Sequence, residues 1–137
     1  MEFHDYWMGM AFMFAVRSKC GNASLIVENS ENLIAYGLEN PVSISSSGKV
    51  LIPSHIKAIL NCKIDFYNAV MYCTSPPTKE SALTIAAIQG LKSIFYYPSQ
   101  ECDESVKSLL GSVYCDISPY KCNLNWMRDY FACLEHK

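Results

Sequence analysis

The side chains best equipped for chemistry in this chain are its seven cysteines and three histidines, which can ligate zinc or serve as nucleophiles and bases. Two spacings could bring such groups together. Cys133-Leu134-Glu135-His136 has a C-x-x-H pattern, and Cys62 follows His55 by seven positions, within two turns of one helix. Two-residue matches arise often by chance in a chain with seven cysteines. Cys62, Cys73, Cys115 and Cys133 also stand inside apolar runs, where a free thiol packs as a small hydrophobe. Ser81 and the serines between Ser43 and Ser47 have no nearby histidine and acid in the sequence to make a nucleophile of one of them. Lys79 and Glu80 read as the solvated first turn of a helix, and His55 taken alone reads as a capping residue. The aromatic residues at 95–97 and 130–131 read as core and interface.

These groups must be positioned by a small scaffold. A chain of 137 residues and 15.4 kDa is the size of one domain, expected to span residues 1–137, and can bury a core without disulfides. Half of its residues are hydrophobic and 18% are charged, more apolar than an isolated soluble surface requires, so subunit contacts are expected. A net charge of −2 lacks the basic excess of a nucleic-acid-binding surface. An odd number of scattered cysteines with no signal peptide in front reads as reduced thiols in a soluble, cytoplasmic protein. The longest apolar stretch, residues 6–16, is too short to cross a bilayer, which takes about 20 residues, so no membrane partner is expected.

The elements follow from pattern and punctuation. Residues 3–19 contain no proline and place Asp5 near the front and Arg17 and Lys19 at the back, as a helix dipole prefers. Residues 6–16 are apolar or small on every side, so one face fills the core and the other calls for a subunit as cover. Residues 24–27 and 33–36 form a hairpin around an Asn/Ser turn, and residues 40–49, with four serines, Pro41 and Gly48, read as a loop. A helix is predicted over 55–62 and a strand over 68–74. Thr78 then caps a helix that runs to about Gln89, with Gly90 as its stop. A strand over 93–97, a helix over 103–110, a strand over 113–117 and a closing helix over 124–134 complete an α/β chain with a mixed sheet layered by helices.

Read in order, several segments resemble the deoxycytidylate deaminase branch of the zinc-dependent cytidine deaminase superfamily, over roughly residues 6–96. Tyr6-Trp7-Met8-Gly9-Met10-Ala11-Phe12, followed by Arg17-Ser18-Lys19-Cys20, is similar to the family's opening helix with its Arg-Ser ending. Residues 26–37 resemble the hairpin before its active site. His55-Ile56-Lys57 falls where the family has His-Ala-Glu. Pro77-Thr78-Lys79-Glu80-Ser81-Ala82 stands where it has Pro-Cys-x-x-Cys-Ala. Gly90-Leu91-Lys92-Ser93-Ile94 resembles the turn and strand that follow. The implied fold is a cytidine-deaminase-like three-layer α/β/α arrangement with a mixed five-stranded sheet.

In that superfamily one His and two Cys hold zinc, and a Glu two residues after the His moves protons as ammonia leaves. Carried over position by position, His55 survives, Lys57 replaces the Glu, and Thr78 and Ser81 replace the thiolates. A neutral hydroxyl does not release its proton to zinc as a thiol does. At an effective dielectric of about 20, a lysine charge roughly 5 Å from Zn²⁺ is repelled by about 6 kcal/mol. The resemblance therefore implies a pseudoenzyme of the dCMP deaminase family, with no cofactor and no catalytic residues. It would act through protein–protein interaction, as a homo-oligomer or a hetero-oligomer with another protein. The alternatives are a nucleotide-binding regulatory module, with Arg17, Ser18, Lys19 and Glu39 at its ligand site, and an active nucleotide deaminase with an atypical site. The family's Gly-Tyr-Asn-Gly turn reads Gly37-Leu38-Glu39-Asn40, and an acidic side chain there opposes a phosphorylated ligand.

Overall fold

The computed structural model describes residues 3–46 and 48–122. A five-stranded sheet has the order β2-β1-β5-β6-β7, built from β1 (Ala23–Glu28), β2 (Asn32–Leu38), β5 (Ala69–Cys73), β6 (Leu91–Tyr96) and β7 (Asp116–Pro119). β1 runs antiparallel to both β2 and β5, while β5, β6 and β7 run parallel, so the sheet is mixed. One face carries α1 (Phe3–Ala15). The other carries α2 (Ser54–Asn61), α3 (Lys79–Ile88) and α4 (Glu104–Ser112).

Alternation along the central strands supplies both cores, as the two-residue strand period requires. Leu25 and Val27 of β1, with Tyr72 of β5, face Trp7, Met8 and Ala11 of α1. Ile26, Met71, Cys73 and Ile94 face the opposite way, onto Ala58, Ala82, Ile85, Val106 and Leu110 of the other three helices. No described helix is long and apolar enough to cross a membrane.

Four readings change in the structure. The first helix ends at Ala15, four residues early, because Ser18 takes up local backbone groups instead of continuing the helix: its Oγ accepts the N–H groups of Cys20 and Asn22. Residues 40–49 are not a loop but part of a hairpin of β3 (Pro41–Ser45) and β4 (Gly48–Leu51), in which Val42 pairs with Val50 across alternating serines. Gln89, not Gly90, takes the left-handed C-cap of α3 at φ 59°; Gly90 is needed because a Cβ there would lie 2.5 Å from the Phe66 ring. The last strand begins at Asp116, since Val113 and Tyr114 still finish α4. The predicted helix over 124–134, and with it the C-x-x-H pattern at Cys133 and His136, lies outside the described residues.

The first helix is also less bare than its composition implies. Phe14 stacks on Tyr36 with ring centroids 4.7 Å apart, Phe12 meets Tyr97 edge-on, and the Trp7 indole N–H donates to the Ser30 carbonyl at 2.8 Å. Its exposed large side chains are Phe3 and Tyr6.

Candidate functional site

Parallel strands β5, β6 and β7 all end at one edge of the sheet, the edge where α/β proteins place their ligands. The start of β1 and the end of β2 lie at the same edge, because β1 pairs antiparallel with both β2 and β5. His55 enters this edge from the first turn of α2 and Thr78 from the cap of α3.

There the structure brings His55, Ser81 and Thr78 together. His55 is fully buried, and its Nε2 lies 3.0 Å from the Ser75 carbonyl, which can only accept, so Nε2 carries the proton. Nδ1 is then an acceptor, 3.3 Å from the buried Ser81 hydroxyl. The Ser81 oxygen in turn lies 3.0 Å from the Thr78 hydroxyl, and Thr78 Oγ1 accepts the Ser81 backbone N–H at 3.1 Å as the N-cap of α3. The donors and acceptors close into one chain: Thr78 donates to Ser81, Ser81 to His55, and His55 to the Ser75 carbonyl. Sequence spacing gave Ser81 no histidine; the fold supplies one from 26 residues away.

Beneath this chain the buried Ser24 and Ser54 hydroxyls bond at 2.7 Å. Burial pushes the Cys73 thiol up to about 12, against a hydrogen bond with Ser24 that lowers it, so this cysteine is a packed, inert thiol. These serines carried no signal in the sequence beyond their position on apolar strand and helix faces.

Segment 17–19 and Glu39, predicted as one ligand site, do meet. The Ser18 hydroxyl donates to the Glu39 carbonyl, the Lys19 N–H donates to Asn40 Oδ1 at 2.7 Å, and Asn22 Nδ2 holds Glu39 Oε2 at 3.0 Å. Arg17 and Lys19 are exposed. Asn22 and Thr74, which link this turn to β5 through a 3.3 Å bond, were not singled out by sequence reasoning. Lys57 is half-buried, makes no ion pair with a described residue, and lies with its Cβ against Gly37.

No family model matches the chain, and no curated protein does so either. Solved structures do. The apo dCMP deaminase of the cyanophage S-TIM5 superposes with a TM-score of 0.71 at 16% identity, over 88% of this chain and 100% of that one. The fold is cytidine-deaminase-like. The Aspergillus oryzae Rib2 deaminase in complex with DARIPP matches with a TM-score of 0.65 at 10% identity, over 90% of this chain and 86% of its own. Acinetobacter baumannii RibD matches with a TM-score of 0.64 at 16% identity over 85% of this chain, which spans only 35% of RibD.

The zinc that the sequence resemblance implies does not fit the donors found here. The one imidazole nitrogen free to ligate is turned to a hydroxyl, and the two hydroxyls at the remaining positions are occupied with each other. Among the described residues no group of three or more His, Cys, Asp or Glu side chains could hold a metal ion.

Burial lowers the His55 pKa from 6.5, while the bond to Ser75 and the Glu39 charge act in the opposite direction and are outweighed. The folded state therefore binds fewer protons than the unfolded state below pH 6.5, and stability falls as pH drops from there toward the folded pKa. Unfolding free energies from denaturant titrations between pH 7.5 and 5 are expected to fall by up to about 1.4 kcal/mol per pH unit from this group alone. His55→Gln should flatten that part of the profile; an unchanged slope in the variant would show that His55 is not the titrating group.

Proposed function

We propose that this protein is a deaminase-like pseudoenzyme, one domain over residues 1–137, that acts in the cytoplasm through protein–protein contact or assembly and not through zinc-dependent deamination. The observation that carries this reading is the closed hydrogen-bond chain Thr78, Ser81, His55, Ser75, which satisfies each polar group where a metal would need three vacant ligands. The Lys57 charge, two positions after His55, adds repulsion toward any cation.

Metal analysis of the protein as purified is expected to find far less than one zinc per chain. A full equivalent of zinc, released by His55→Ala, would sink the reading.

A second reading, a nucleotide-binding module without turnover, is favoured by one feature: exposed Arg17 and Lys19 beside the turn that carries Glu39. It predicts that deoxycytidylate binds more tightly than deoxycytidine and that Arg17→Ala removes the difference. Titration calorimetry with both ligands decides it.

A further inference from the structure

We propose that the amino-terminal edge of the parallel ribbon β5–β6–β7 docks a second copy of this chain. This rests on the assembly half of the reading above and is independent of whether the His55 site is inert.

The connectors that lead into β5, β6 and β7 all arrive at the edge opposite His55, because the three strands are parallel. Connectors of this kind are ordinarily polar turns. Here they display Ile64, Tyr67 and Tyr114, exposed by 56%, 77% and 91%, with Leu60 and Ile88 near the ends of α2 and α3 exposed by 65% and 46%. The connectors into β5 and β6 touch one another. The Ala69 N–H donates to the Gly90 carbonyl at 3.3 Å, and a Cβ on Gly90 would strike the Phe66 ring. Tyr67 and Tyr114 each stand two residues ahead of their strands, which are separated only by β6.

The amount of apolar surface decides its meaning. At about 200 Å² per large side chain, these five exposures amount to on the order of 650 Å². That is close to the ~800 Å² that each partner contributes to a standard interface. Tyr114 adds an independent sign. It holds a left-handed backbone at φ 59°, a conformation unfavourable for a bulky residue, while presenting its ring to solvent.

The charges select a second copy as the occupant. Lys63 and Asp65 flank Ile64, both are exposed, and neither makes an ion pair with a described residue. In a two-fold contact Lys63 of each copy meets Asp65 of the other, so one surface complements itself twice. The tyrosines then fill the dry centre, where aromatic anchors dominate binding.

Sedimentation equilibrium of the full chain from about 1 to about 100 μM should show a dimer of twice 15.4 kDa. Tyr67→Glu and Tyr114→Glu should each raise its Kd at least about 30-fold without lowering the thermal midpoint of the monomer, since both side chains are exposed. Lys63→Asp and Asp65→Lys should each weaken self-association, and mixing the two variants should restore a dimer. A monomer throughout that range overturns the proposal. So does a dimer indifferent to these substitutions, including one broken by Tyr6→Glu on α1. Zinc content and ammonia release report separately on the His55 site.

Discussion

Incubated with deoxycytidylate, cytidine or deoxycytidine, the protein is expected to release ammonia no faster than the uncatalysed reaction. Enzymes commonly accelerate such reactions by at least about a million-fold. Loss of a general acid–base group costs about two to four orders of magnitude, and loss of a metal-activated water removes the nucleophile itself. Lys57 cannot accept the proton while it is charged, and the His55 nitrogen turned toward the site accepts from Ser81. Release above background that disappears in His55→Ala or Lys57→Ala would defeat this expectation. The triple variant Lys57→Glu, Thr78→Cys, Ser81→Cys should regain zinc before it regains turnover. Glu39, fixed by Asn22 at the same edge, still opposes a phosphorylated substrate.

Gly37→Ala should be strongly destabilising. Gly37 lies on β2 directly under α2, and a Cβ there would sit 2.3 Å from the Ala58 nitrogen, 2.5 Å from the Ser54 oxygen and 2.6 Å from Lys57 Cβ. The first two are backbone atoms, so no rotamer change relieves the clash, and the helix that carries His55 must lift off the sheet. A loss of about 3 kcal/mol or more is expected, lowering the thermal midpoint by roughly 10 °C in a chain of this size. Gly111→Ala is the control. Nothing lies within 4 Å of its Cβ position, it stands on the exposed side of α4, and the substitution should stabilise by about 0.5–1 kcal/mol. Equal midpoints for the two variants would contradict the packing of α2 on β2.

The legible parts of the fold were those marked by local chemistry. Thr78 after Pro76-Pro77 set the start of α3 to the residue, because a cap and a proline both act within one turn. The β-prone runs on either side of the Asn/Ser turn at residues 28–32 gave the hairpin, and the order of elements gave the mixed sheet. The hairpin β3–β4 was hidden because four serines carry a turn signal stronger than the alternation of Val42, Ile44 and Val50. At the site, the family resemblance singled out His55, Lys57, Thr78 and Ser81 as positions of interest. It could not show that the two hydroxyls and the imidazole satisfy one another, since that depends on how α2 and α3 lie across the sheet. Nor does spacing reveal that apolar connectors gather at one sheet edge, because three separate stretches of sequence become neighbours only through parallel strand pairing.

The attachment of α1 has a consequence in time. Asp5 accepts a hydrogen bond at 2.9 Å from the hydroxyl of Tyr120, 115 residues later, and His4 bonds the Tyr72 hydroxyl at 2.7 Å. A ribosome adding about 5–20 residues per second needs on the order of 10 s to reach Tyr120 after making Asp5. For that interval the most apolar helix of the described chain has β1 and β2 beside it but lacks the later contacts, from Tyr72 to Tyr120, that complete its cover. Chaperone supply during synthesis, more than final stability, should then set how much of this protein reaches its folded form.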